Sequence, residues 1–356
     1  MEHDGPHCCP SGNNSKKAAH SHGARIDFVL WGSLGLIVPA YLFHLFGSHV
    51  VAPSVITGFS HAVFSVLNKM WWGVLFGIFF VGLLSDIPRD VVMSLLGKNQ
   101  GLKGILRATL AGVFLDLCSH GILLVGMKLY ERGASLGQLM AFLIASPWNS
   151  ISLTFVLWSL IGLKWTLLIL LLSLVIAIIS GLIFELLVRR GVLPENPNRA
   201  ARGKDYTIIQ ALKEGVRHIS FRPRHLLKIL KSGFSESLMI LRWLFLGVVL
   251  AGIFQGVFDV ATFKTLYGPS LTGLGITLLT ATLIEVCSEG STPIAADIFV
   301  RAHAPGNAFA FLMTGVSTDY TEIMVLKETT GSWKVAFFLP LVTLPQVVAI
   351  SLILNM

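Results

Sequence analysis

Charged side chains are scarce in this chain: Asp, Glu, Lys and Arg make up only 13% of its 356 residues, about half the share found in soluble domains. That scarcity excludes a water-soluble globular protein, and the 54% of hydrophobic residues and a mean hydropathy of +0.74 agree. Cysteine is rarer still. Four cysteines are too few for a disulfide framework, and two of them, Cys118 and Cys287, sit inside apolar segments and read as free thiols. No Cys-x-x-Cys, His-Glu-x-x-His or nucleotide-binding P-loop occurs, which argues against an enzyme and against ATP-driven pumping by this chain alone. What is left is an all-α polytopic membrane protein, since several apolar runs approach or exceed the roughly 20 residues a spanning helix needs. The formal charge of +8 belongs to loops, where it reports orientation and not nucleic-acid binding.

One pattern occurs twice in that apolar background. Asp116-Leu-Cys118-Ser119-His120-Gly121 returns as Glu285-Val-Cys287-Ser288-Glu289-Gly290, 169 positions later. At the same offset Arg132 falls on Arg301, Gly137 on Gly306, 141–143 on 310–312, 156–157 on 325–326 and Gly162 on Gly331, with no gap. A constant offset over so many positions marks an internal duplication.

The chain divides accordingly. Residues 1–26 form a polar tail with no apolar run to bury, disordered by composition, and they lack the layout of a signal peptide. The tail carries His3, His7, Cys8, Cys9, His20 and His22; such a tract is either a metal-binding arm or a solvated tail with incidental affinity. Residues 27–65 hold a first span, 28–46, and a segment at 49–65 that is too polar to read as a span and is assigned to the interface. Repeat one covers 66–188 and repeat two 235–356. Between them, 189–234 is a strongly basic loop, which places it in the cytoplasm with lipid headgroups as its partner. Lys16, Lys17 and Arg25 put the N-terminus on the same side.

Counting crossings constrains the repeats. Three full crossings after the loop that holds Arg89, Lys98, Lys103 and Arg107 would leave Arg189-Arg190 outside, against the charge rule. If 104–132 instead enters, breaks at its Cys-Ser-x-Gly tip and returns, parity is restored. The same rule applied to 270–303 makes that hairpin enter from the opposite face, so the repeats are inverted, a recurrent design of secondary transporters. This count depends on 49–65 not crossing the membrane.

The duplication equates Asp116 with Glu285, Cys118 with Cys287 and His120 with Glu289. Ionisable groups inside apolar segments usually mark substrate or ion pathways, although any one of them alone reads as a cap on a broken helix end. Thiolate, imidazole and carboxylate together suit Zn(II), and paired thiolates suit Cu(I) or a thiophilic metalloid. Because bound ligands must be deprotonated, the same groups could exchange protons for metal. Ser119 and Ser288 flank the tips, and Asn149, Asp319 and Glu322 are further candidates for lining the pathway, with helix capping as the plainer role of the two acids. Asp86, Glu185 and Glu236 read as interfacial charge near span ends.

The motifs Cys-Ser-x-Gly, Arg132-Gly-Ala-Ser-Leu-Gly137 and Ala141-Phe-Leu-Ile-Ala-Ser-Pro147, with the second copy Cys287-Ser-Glu-Gly-Ser-Thr-Pro-Ile-Ala295, resemble the ArsP/YraQ-type predicted permeases. Cys-Ser-His-Gly in the first repeat and the Cys-Cys tail are similar to a branch classed as copper/zinc efflux transporters. The common first motif of the family, Cys-Ser-Cys-Gly-x-x-Pro, is altered here by His120 and Leu124, which moves the expectation from trivalent arsenicals toward a metal ion. The reading is a multi-pass inner-membrane efflux permease for Cu or Zn, with no permanently bound cofactor, metal ions and a cytoplasmic metal donor as partners, and no nucleic acid. Export of trivalent arsenicals or other thiophilic organic species is the alternative within the class, and an intramembrane thiol enzyme the alternative outside it.

Overall fold

The architecture comes from a computed structural model, which describes residues 28–47, 53–84, 101–114, 119–145, 150–200, 223–284 and 287–356. Every regular element among the described residues is helical. Helix α1 spans Phe28–Phe46 and α2 spans Ser54–Leu84; repeat one continues with α3 (Leu102–Phe114), α4 (Ser119–Glu131), α5 (Leu136–Ala145), α6 (Ile151–Ile161) and α7 (Leu163–Arg189). After a short 3-10 turn at Pro197–Ala200 come α8 (Pro223–Val257), α9 (Val260–Tyr267), α10 (Leu271–Ile284), α11 (Ser288–Arg301), α12 (Pro305–Thr318), α13 (Tyr320–Thr330) and α14 (Trp333–Leu354). Among the described residues, four helices are long and apolar enough to cross a membrane, Phe28–Phe46, Ser54–Phe79, Leu163–Arg189 and Trp333–Leu354, and a fifth span is made if Leu241–Val257 and α9, bent by 114° to one another, count as one. The chain is a polytopic helical membrane protein.

Helix starts recur at one spacing. Those of α2, α3, α4, α5 and α6, at 54, 102, 119, 136 and 151, reappear 169 residues later as those of α8, α10, α11, α12 and α13. The correspondence begins at Ser54, earlier than the boundary at 66 drawn from composition. The segment 49–65 is corrected in the same stroke: from Ser54 onward it belongs to one 31-residue helix with the span that follows. Its polar side chains do not break the helix because they bond back onto it. Thr57 Oγ1 donates to the Ser54 carbonyl at 3.0 Å, and Ser60 Oγ to the Thr57 carbonyl at 3.1 Å. One continuous helix crosses once, so the crossing count is unchanged.

Close glycine contacts give the helix directions. Gly58 lies against Gln255 and Gly256, Gly256 against Val55, and Gly252 against Phe59, so α2 and its counterpart α8 run antiparallel. Small residues are what allow two backbones to approach this closely in a membrane interior. Helix α1 lies antiparallel to α2, with Tyr41 beside Phe64 and His44 beside His61.

The second hairpin is read in the same way. At its base, Asn307 Nδ2 donates to the carbonyls of Tyr267 and Gly268 at 2.8 and 2.7 Å; at the other end Thr282 Oγ1 donates to Thr318 Oγ1 at 3.2 Å. Helices α10 and α12 are therefore parallel. Helix α11, joined to α12 by a short turn and meeting it again where Ser291 faces Gly315, is antiparallel to both. The arms α10 and α11 straddle α12, and their tip lies level with the end of α12. Each arm of 14 residues is about 21 Å long, short of the roughly 30 Å hydrocarbon layer. Neither arm is long enough to cross it.

Contacts between the halves come in matched sets. Helix α11 packs on α6 and its counterpart α4 on α13, while α2 pairs with α8 and α7 with α14. Trp165, just after α6, stacks edge-on to Phe299 near the end of α11 at 5.2 Å. Side-by-side packing with those ends together makes α6 and α11 parallel, which places Ser150 and Cys287, the residues preceding each, at similar depth.

Candidate functional site

The tip of the second hairpin is built by the start of α11. Cys287 is the residue before α11, with extended backbone (φ −55°, ψ 166°), and its thiol is free and half-buried. Behind it Ser288, Glu289, Ser291 and Thr292 are all buried. The first turn of a helix has amide groups without intrahelical partners and a positive end, both of which favour an acid such as Glu289 there. Ser288 Oγ donates to Glu289 Oε2 at 3.2 Å, Ser291 Oγ to the Cys287 carbonyl at 3.1 Å and Thr292 Oγ1 to the Ser288 carbonyl at 2.9 Å. Pro293 lies inside the helix; lacking an N–H, it leaves the Glu289 carbonyl without its usual donor four residues on. Gly290 presses on Gly247 of α8, where an added Cβ would overlap the Gly290 carbonyl.

Opposite this tip the span from α12 to α13 is interrupted. Asp319 adopts φ −57° and ψ 123° and caps α13, its Oδ1 accepting from Thr321 N at 2.7 Å. Ser150, at the equivalent position, caps α6 by accepting from Leu153 N at 3.2 Å. The last turns of α12 supply Thr314 and Ser317, both buried, and the Thr314 hydroxyl has no hydrogen-bond partner among the described residues. Glu322, in the first turn of α13, is 4% exposed.

These observations distribute the residues expected from the sequence. Cys287, Ser288 and Glu289 come together at one tip. Asp319 is a helix cap, and Glu322 is buried one turn beyond it. Ser119 and His120 open α4. Asp116, Cys118, Glu285, Asn149 and the tail residues His3, His7, Cys8, Cys9, His20 and His22 lie outside the described residues. Among the described residues, no three His, Cys, Asp or Glu side chains converge as a metal centre. Among the described residues, the tip of repeat two therefore presents the Cys287 thiol, the Glu289 carboxylate and a row of hydroxyls.

Two buried acids escaped the sequence reading. Glu185, read as interfacial, is buried beside Gly137, with Arg189 Nε 3.9 Å from its Oε1. Asp297 is buried at the hairpin base in an ion pair with Arg301 at 3.0 Å. An Asp and an Arg four residues apart in an apolar segment were the available signal.

Comparison with known proteins agrees with this architecture. Residues 40–356 match the ArsP_1 family, described as predicted permeases. A relative, the UPF0718 protein YcgR of Bacillus subtilis (strain 168), is 21% identical over 283 residues, covering 78% of this chain and 90% of its own length. No solved structure matches. With the family match extending over most of its length, the chain belongs to the ArsP_1 predicted permeases, a family of membrane transporters.

Proposed function

We propose that this permease exports heavy-metal ions, copper or zinc, across the inner membrane from a site shared by two inverted repeats. The observation that carries the reading is Cys287, a free thiol standing at the start of α11 at the hairpin tip, with the buried Glu289 two residues on. A thiol and a carboxylate suit Cu(I) and Zn(II), and the first half offers Cys118 and His120 at equivalent positions. The antiparallel pairing of α2 with α8 supports the inverted arrangement, because equivalent helices that run in opposite directions belong to repeats of opposite orientation. Basic residues around Arg189-Arg190 and in the loop that follows support a cytoplasmic N-terminus, with the Cys/His tail as a metal-collecting arm on that side.

A second reading, export of trivalent arsenicals or other thiophilic organic species, is favoured by one feature. Helices α11 and α13 begin in mid-membrane, and α4 and α6 are their counterparts. Each helix start carries about half a positive charge, which disfavours a bare divalent cation and favours a neutral thiophile held by cysteine.

Cells carrying Cys287→Ser or Cys118→Ser, challenged in turn with Cu, Zn and trivalent arsenic, test the site and separate the readings. Each variant is expected to reach the membrane and lose resistance to the transported species. Full resistance in either would show that the two tips do not share one site.

A further inference from the structure

We propose that Glu322 is the proton-carrying group of this permease, loaded from the outer side and discharged to the cytoplasm while the transported species moves outward. The inference rests on the transport reading above and supplies its energy source.

The pseudo-equivalent position carries the argument. Glu322 corresponds to Leu153, and the two are 4% and 3% exposed. Both follow a capped helix start, Asp319 in one half and Ser150 in the other. Packing at this position is therefore satisfied by an aliphatic side chain, and a carboxyl group there serves something other than the fold. No hydrogen bond or ion pair to the Glu322 carboxyl occurs among the described residues. Helix α13 packs chiefly on α4, α12 and α14.

Their titratable groups leave it without a cation. Helix α12 has none. Helix α14 has Lys334, exposed at its start, and α13 itself has exposed Tyr320, the capping acid Asp319 and a Lys327–Glu328 pair at 3.1 Å. Helix α4 has buried Tyr130, the exposed Lys128–Glu131 pair at 2.6 Å, and His120 in its first turn. A carboxylate that is 4% exposed and has no cation beside it is costlier there than the neutral acid, so Glu322 holds a proton at rest in the proposed cycle. Its place beside α4, the helix that opens with Ser119 and His120, ties the loss of that proton to events at the first tip. Buried membrane acids facing a protein interior are the usual elements of proton relays.

The test uses full-length protein in proteoliposomes, with Zn2+ and Cu+ as probes and the variants Glu322→Gln and Glu322→Leu. Infrared spectra of the wild type at neutral pH are expected to show a carboxylic-acid carbonyl band that both variants lack. For one coupled proton, each pH unit of imposed gradient is expected to shift the wild-type metal ratio about tenfold, whereas in both variants the metal ratio no longer answers the gradient. Glu322→Leu is expected to express and melt like the wild type, because Leu153 already fills the matching position. A variant that still answers the pH gradient overturns the proposal, as does an unchanged carbonyl band. If wild-type protein moves neither probe, the metal reading fails separately, and the band alone decides whether Glu322 holds a proton.

Discussion

The bases of the two hairpins occupy equivalent positions and are held in opposite ways. At the second, Asp297 accepts from Arg301 Nη1 at 3.0 Å and from Gln255 Nε2 at 2.7 Å. Arg301 also donates to the Phe258 carbonyl at 2.9 Å and lies 4.4 Å over the Phe263 ring. At the first, the residues 169 positions earlier are Lys128 and Arg132, and Lys128 pairs with Glu131 at 2.6 Å with both side chains more than half exposed. Among the described residues, a buried ion pair at the second base thus stands where the first shows an exposed one. The second base lies under the α8–α9 junction, where Phe258 and Phe263 meet Arg301.

Breaking each base should separate them sharply. Asp297→Ala leaves Arg301 buried without its acid and is expected to cost about 3–5 kcal/mol, read as loss of thermal stability in detergent. Glu131→Ala is expected to cost under about 1 kcal/mol, because exposed pairs contribute little. Equal losses would mean that the two bases are equivalent after all.

A finer comparison uses two glycines. Gly162 and Gly331 are equivalent and both have positive φ, 87° and 67°, but their ψ values are 156° and 11°. The first conformation is nearly restricted to glycine, at about 1–3 kcal/mol for another residue; the second is ordinary left-handed backbone, at about 1–2 kcal/mol. Nothing lies within 4 Å of a Cβ added at either, so Gly162→Ala should lower stability more than Gly331→Ala for conformational reasons alone. Thermal melts of the two variants check the order.

How much of this was legible beforehand varies by region. Apolar length placed α1 within Phe28–Phe46. The polar start of α2 misled because hydroxyls that bond to their own helix read, in composition, like an interfacial segment. Asp319 was legible as a cap because short polar side chains commonly take that role. The burial of Asp297, Glu185 and Glu322 was not, since it depends on which neighbours a helix face meets, and period alone does not supply that. Charge parity set the expected directions, and the glycine contacts of α2 with α8 supply an independent argument for them.

The central claim, that the two repeats have opposite orientation, is open to direct measurement. Lys128→Cys and His303→Cys, each in a background with Cys8, Cys9, Cys118 and Cys287 replaced by serine, place single thiols at an exposed position beside each hairpin base. A membrane-impermeant thiol reagent applied to intact spheroplasts should label position 303 at once and spare position 128 until the membrane is opened. Labelling of both from the same face would contradict inverted repeats and separate the two tips that the proposed site requires to meet.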